Sequence, residues 1–303
     1  MGLLLHLRWM KATYMSMKPE VGLGRAQIIL LVTLAITAFA GNSLLTRAAL
    51  SGGDLDATAF AAIRLGSGAL ALCLLALWRG QGFRPGKSDL SGIIALFVYM
   101  AGFSLAYNDL DAATGALLLF GLVQMTVLAA GFIRGDRPSG IEVSGAIIAF
   151  GGLVLLVGSR ANTASAMPVL LMAAAGIGWG VYTLLGRGAG DPLGRTARNF
   201  IGATPLAILF TLVLGDFHLT TQAVWLAVAS GVVTSAMGYA IWYAVLPALS
   251  RISAGVSQLL VPPVTALGGA ALLAEPLTMR LAFATVIILA GVALTFIKPT
   301  PKS

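Results

Sequence analysis

The chain is 303 residues long, 58% hydrophobic and 10% charged, with a mean hydropathy of +0.93. A water-soluble domain carries roughly 25% charged residues, so this chain is built for another solvent, and lipid is the one that fits. The net charge of +8 does not indicate a nucleic-acid partner, because the basic residues stand singly in short connectors rather than in one stripe.

Residues 1–26 form a basic leader (Arg8, Lys11, Lys18, Arg25) whose apolar stretch is too short for a signal-peptide core, and it is expected to stay in the cytoplasm. Apolar runs then predict transmembrane helices at 27–49, 57–78, 91–108, 111–133, 141–158, 166–187, 192–214, 221–247, 250–273 and 277–297. A short tail, 298–303, completes the chain. The connectors carry turn signals such as Ser51-Gly52-Gly53-Asp54 and Gly80-Gln81-Gly82.

Lys and Arg set the orientation. With the N-terminus inside, the cytoplasmic side receives Arg79, Arg84, Lys87, Arg134, Arg137, Arg187, Arg251, Lys298 and Lys302. The outer connectors keep only Arg160 and Arg280 and are otherwise acidic or neutral. Both termini are therefore expected in the cytoplasm, with an even number of spans. The one cysteine, Cys73, excludes an internal disulfide and reads as a packing residue.

The two halves echo each other. An offset of 140 places Ser43–Arg47 on Thr183–Arg187. An offset of 139 places Asp136 on Glu275 and Ile148–Leu153 on Ile287–Val292. Two five-helix units, 27–158 and 166–297, follow from this match. Five is odd, so the second unit must enter the membrane from the opposite face, as an inverted-topology repeat.

The run Gln258-Leu259-Leu260-Val261-Pro262-Pro263-Val264-Thr265, followed by Ala274-Glu275-Pro276-Leu277-Thr278, resembles the ninth helix and following loop of the EamA branch of the drug/metabolite transporter superfamily. The five-plus-five layout and an Arg in the second helix of each half (Arg64, Arg198) fit the same family, over about residues 27–297. The first half departs from the pattern, with Gln124 where the repeat predicts proline and Asp136 in place of Glu. Within the family the chain looks most like the aromatic amino acid exporters. The resemblance implies an all-α membrane protein with a central cavity lined by helices 1, 3, 4, 6, 8 and 9, open to one side at a time.

Candidate site residues follow from irregular and polar positions on those helices. Pro262 and Pro263 remove two amide donors near the centre of span nine, and the carbonyls they free must face protein or water. Gly41, Asn42 and Ser43 interrupt the apolar first span. Tyr99, Phe103 and Tyr107 recur at helical spacing on the third span, Trp179 and Tyr182 on the sixth, and Tyr239, Trp242 and Tyr243 on the eighth. Gln124, Ser257 and Gln258 add hydrogen-bonding groups. Tyr107 reads as part of the interfacial belt. The wall suits a planar, partly apolar guest whose zwitterionic head needs no fixed counter-ion, with organic cations or nucleosides as alternative passengers.

All eleven Asp and Glu fall in the leader, in connectors or at helix ends, and both histidines (His6, His218) lie at or beyond span ends. Proton-coupled carriers use a buried carboxylate on which proton and substrate compete, so facilitated transport is expected instead. Arg64 and Arg198 are expected near the outer side, snorkelling to headgroups. Arg47 reads as an anchor, and Glu275 as a partner of Arg280 or of helix amides. Nothing resembles HExxH or a phosphate-cradling loop, so no enzyme activity, cofactor or metal is expected. The expected partners are a small-molecule substrate and the lipid bilayer, with no nucleic acid. The inner membrane is the expected location, and a monomer already holds both halves.

Overall fold

The computed structural model describes residues 24–80, 84–133, 139–157, 166–186, 191–216, 218–249 and 257–294. Most of the leader, the tail, the expected orientation residues Arg134, Arg137, Arg160, Arg187 and Arg251, and the repeat-matched Asp136 lie outside the described residues.

The described residues form helices joined by short connectors, with one isolated bridge between Leu55 and Leu219. In order come α1 (Arg25–Leu50), α2 (Ala57–Trp78), α3 (Leu90–Ala106), α4 (Ala112–Ile133), α5 (Gly140–Val157), α6 (Met167–Gly186) and α7 (Pro192–Leu214). Then follow α8 (Thr221–Ala229), a π-helical stretch (Ser230–Met237) and α9 (Gly238–Val245), which run on as one rod, and finally α10 (Val261–Leu272) and α11 (Met279–Leu294). The helix starts obey local chemistry. Asp56 accepts the amides of Thr58 and Ala59, Asp191 accepts that of Gly194 with Pro192 in the first turn, and Thr220 accepts that of Ala223.

Among the described residues, seven helices are long and apolar enough to cross a membrane: α1, α2, Lys87–Ala106, α4, α6, Leu193–Leu214 and the rod Thr221–Ala248. The expected fifth, ninth and tenth spans are occupied by shorter apolar helices, Gly140–Leu156, Val261–Leu272 and Met279–Leu294. At 1.5 Å per residue a twelve-residue helix such as α10 covers about 18 Å, short of the roughly 30 Å hydrocarbon core.

Apolar side chains cover the outside: Leu70, Leu74, Trp78, Phe150, Leu212, Trp225 and Val286 are all more than half exposed. Polar ones turn inward, with Asn42, Arg64, Asn199, Ser230, Thr234 and Ser235 buried. A soluble fold shows the reverse, so lipid is the solvent this surface matches.

Packing is dominated by contacts between the halves, and these contacts exchange when the halves are swapped. α3 packs on α6 as the α8–α9 rod packs on α1; α4 packs on α6 as α10 packs on α1; α2 meets α7, and α5 meets α11. At the last crossing the sequence-matched segments meet face to face, Gly152 against Ile287 and Ile288, and Gly291 against the backbone of Ala149. The connectors also sort onto shared ends. Asp54 and Asp56 bond to Thr220 and His218, which brings the α1–α2 and α7–α8 connectors together.

Gly231, within the π-helical stretch, lets α2 approach closely: a methyl there meets the Arg64 carbonyl and the Ser67 hydroxyl. Gly231→Ala is therefore expected to lower the unfolding temperature in detergent, by the equivalent of about 1–3 kcal/mol for overpacking. Gly151→Ala, whose added methyl meets nothing within 4 Å, serves as the control and should leave it unchanged.

Candidate functional site

The rings predicted on three different spans meet at the seam between the halves. Trp179 of α6 is the hub, with ring centroids 4.9 Å from Tyr99 of α3, 5.1 Å from Tyr239 of α9 and 5.4 Å from Tyr182. Phe39 of α1 sits edge-on to Tyr239 and Trp242, Phe200 of α7 approaches Tyr239, and Phe103 bridges Tyr99 to Tyr107. The ring positions chosen on three spans thus converge, and at the seam the rings contact one another directly, stacked or edge-on.

Two cavities border the described helices near their ends. A cavity of about 300 Å³ is bordered by Thr114, Ala266, Glu275 and Arg280. A narrow cleft of about 10 Å³ lies between Tyr182, Tyr243, Arg195 and Asn199, enough for one water. Tyr107, expected in an interfacial belt, is fully buried and donates to the Ala112 carbonyl at 3.2 Å.

Asn42 is a buried polar point in α1. Its amide oxygen accepts the hydroxyls of Ser230, Thr234 and Ser235, and its amide nitrogen donates to the Thr234 carbonyl at 3.2 Å. Neighbouring Gly41 leaves room for the Thr234 methyl, and Ser43 is buried beside them. The three hydroxyls fall on the π-helical stretch, whose wider turn brings positions 230, 234 and 235 to one side. The Ser230/Thr234/Ser235 stripe was visible in the sequence as a polar face on an apolar span.

Contrary to the expectation from sequence, Arg64 does not snorkel to the headgroups: the residue is 0% exposed. Its Nε donates to Ser235 at 3.0 Å and its Nη2 to the Tyr99 hydroxyl at 3.1 Å, while the guanidinium lies 4.9 Å from the centre of the Phe103 ring. It points inward because α2 turns this face to the seam, where Ser235 and Tyr99 await it. Arg198 departs from that expectation as well. It pairs with Asp89 at 3.1 Å and with Asp191 at 3.7 Å, beside the starts of α3 and α7, the end assigned to the cytoplasm rather than the outside.

Span nine is interrupted as expected, but the break precedes the prolines. Residues 257–258 are helical, 259–260 form a turn, and Pro262 and Pro263 lie in the first turn of α10. Proline is tolerated there because a first-turn amide has no helical partner to lose. Pro262 is buried and Pro263 half-buried, so the segment faces protein. Gln258 is buried, and Ser257 and Gln124 are half-buried.

One end of the bundle is tied by charge. Glu275 accepts the Ala112 amide at 2.9 and 3.0 Å, capping α4 of the other half, and lies 3.5 Å from Arg47. Arg47 donates in turn to the Tyr107 and Asn108 carbonyls at the end of α3. Each charge sits at the helix end of complementary polarity. Glu275 therefore does not pair with Arg280, which donates to the Leu155 carbonyl, and Arg47 is a clamp rather than a headgroup anchor. Ala274 adopts φ 53° and the Glu275 amide returns to the Gly269 carbonyl, so a left-handed helix end aims the carboxylate.

Sequence comparison decides what kind of bundle this is. The profile of the EamA-like transporter family matches residues 26–158 and again 166–297. The chain belongs to the EamA-like transporter family. It is a multi-pass membrane protein of a transporter family. A Pseudomonas aeruginosa protein, described as uncharacterized, is 48% identical over 267 residues, covering 88% of this chain and 93% of that one. An Archaeoglobus fulgidus protein described as an uncharacterized transporter is 27% identical over 210 residues, 66% of this chain and 74% of that one. A crystal structure that superposes with a TM-score of 0.66 at 21% identity, over 90% of this chain and 98% of that one, shows the shared fold.

Burial raises the Glu275 pKa above the usual carboxylate value; Asp111 adds to the rise, while the Ala112 amide and Arg47 oppose it. A carboxyl whose pKa is raised on folding stabilises most below its unfolded pKa and loses that contribution as pH rises through the folded one. The unfolding temperature of Glu275→Gln minus that of the wild type should therefore grow more positive between about pH 4 and pH 7. Thermal scans in detergent across that range read the sign.

Proposed function

We propose that this EamA-like transporter exports aromatic amino acids, or solutes of that shape, across the bacterial inner membrane by alternating access. In this reading ten helices span the membrane as two five-helix halves of opposite insertion, both termini are cytoplasmic, and one chain completes the pathway as a monomer.

The observation that carries the reading is the ring cluster at the seam. Tyr99 and Phe103 come from the first half, and Trp179, Tyr182, Tyr239 and Trp242 from the second, so rocking the halves apart opens a slot walled by aromatic faces. A planar guest replaces ring–ring contacts with guest–ring contacts, each worth about 0.5–1.5 kcal/mol beyond burial. The exchange of packing partners on swapping the halves supports two states of comparable energy. The Glu275–Arg47 tie, made across the halves, is a natural gate for one of them. Transport is facilitated rather than proton-coupled, because the acidic residues of the chain stand in connectors or near helix ends.

Counterflow in proteoliposomes tests this. Phenylalanine, tyrosine and tryptophan should exchange saturably without a pH gradient, and alanine should not. Trp179→Ala, which removes the hub ring, should raise the half-saturating concentration about tenfold, the equivalent of one lost ring contact. Absence of aromatic exchange, or exchange that stops when the proton gradient is collapsed, overturns the reading.

A further inference from the structure

We infer that Arg64 is the receptor for a substrate carboxylate, which makes the passenger an aromatic carboxylate, zwitterionic or anionic, rather than an organic cation or a nucleoside. The inference rests on the transport reading above and deepens it.

Four observations point there. Arg64 is 0% exposed, two turns into α2, in a bundle whose solvent is lipid. Its neighbours are neutral: Ser235 and Tyr99 take Nε and Nη2, and the rings of Phe103 and Tyr99 lie beside the guanidinium. No carboxylate among the described residues comes within ion-pair distance of it; Glu275 is engaged by Arg47 and the Ala112 amide. Finally, its Nη1 is buried with no hydrogen-bond partner, and the Tyr239 hydroxyl is in the same condition.

A guanidinium does not shed its proton inside a protein, so the usual escape for a buried unpaired charge is closed. Such a cation persists only if something offsets its desolvation, and rings and hydroxyls do so in part. A fixed Asp or Glu would cancel the charge permanently. With none in reach among the described residues, the positive field of the guanidinium stays uncancelled at the place where two halves meet. A carboxylate meets it directly: one oxygen accepts from Nη1 and the other from the remaining Nη2 hydrogen, while Nε stays on Ser235. The ring of the same solute then lies against Tyr99, Phe103 and Trp179, which are already in contact with Arg64 or with one another.

Ser235 links this group to the second half. Its hydroxyl accepts from Arg64 and donates to Asn42, so α1, α2 and the π-helical stretch are joined in one chain of hydrogen bonds. Charge neutralisation at Arg64 is thereby coupled to the element that the other half contributes. The head of the substrate is held by a cation, contrary to the sequence expectation that no fixed counter-ion was needed.

The test is competition against labelled phenylalanine counterflow in proteoliposomes, with 3-phenylpropionate, phenethylamine and phenylalaninamide as competitors. In the wild type, 3-phenylpropionate should compete and the two carboxylate-free compounds should be weaker by about thirtyfold or more, the lower end for losing one partner of a buried charge pair. Arg64→Gln should remove that preference, leaving 3-phenylpropionate as weak as phenethylamine, and Arg64→Lys should restore part of it. Equal competition by phenethylamine in the wild type, or full affinity for 3-phenylpropionate in a folded Arg64→Gln, overturns the inference while leaving aromatic transport standing. If phenylalanine gives no counterflow, the transport reading fails. Thermal stabilisation of the detergent-solubilised wild type by 3-phenylpropionate over phenethylamine then still decides for Arg64, and stabilisation by chloride alone decides against it. The same measurement substitutes for Arg64→Gln if that variant does not fold.

Discussion

Lipid supplies no hydrogen-bond partner, so every polar group inside this bundle must find one in the protein or leave a mark where it does not. Most do find one: three hydroxyls converge on Asn42, Thr46 and Thr265 return to carbonyls of their own helices, and Arg198 meets Asp89 and Asp191. Arg64 is satisfied at Nε and Nη2 but not at Nη1. In water such a gap would be trivial. Inside an apolar bundle an unmatched charged donor is costly, and this one lies where the halves touch.

The halves do not build separate cores. α3 lies on α6, α2 on α7 and α5 on α11, so stability comes from contacts that cross between them. A transporter needs such a seam to be firm yet able to change partners. Small residues make it firm, as where Gly178 meets the backbone of Tyr99 and Gly231 meets Arg64. Aromatic faces make it exchangeable, because ring-on-ring contacts are broad in geometry and accept a guest ring in place of a neighbour. The charged tie of Glu275, Arg47 and the end of α3 works differently, holding one end by directional bonds that either form or do not.

Several features are legible in the sequence. The aromatic positions on the third, sixth and eighth spans are the residues that meet at the seam, because helical spacing reveals which side chains share a face. Asn42 stood out as an amide in an apolar helix. What spacing could not reveal is which face turns inward. Arg64 and Arg198 looked equivalent in sequence, each seven or eight residues past an aspartate, yet one is sealed among rings and the other paired with two carboxylates. The destination of a long cationic side chain depends on neighbours remote in sequence, here Ser235 and Tyr99 in one case and Asp89 in the other.

By itself the sequence determined the solvent, the helical class, the repeat and the family resemblance, since these rest on local hydropathy and on periodicity within a single stretch of chain. It took the tertiary structure to bring the rings of both halves into contact, to place the prolines in the first turn of α10, and to set Glu275 on a helix start 163 residues away. Those outcomes depend on how two halves dock, and docking is set by mutual shape and by polar groups seeking partners across the seam, neither of which any one segment carries.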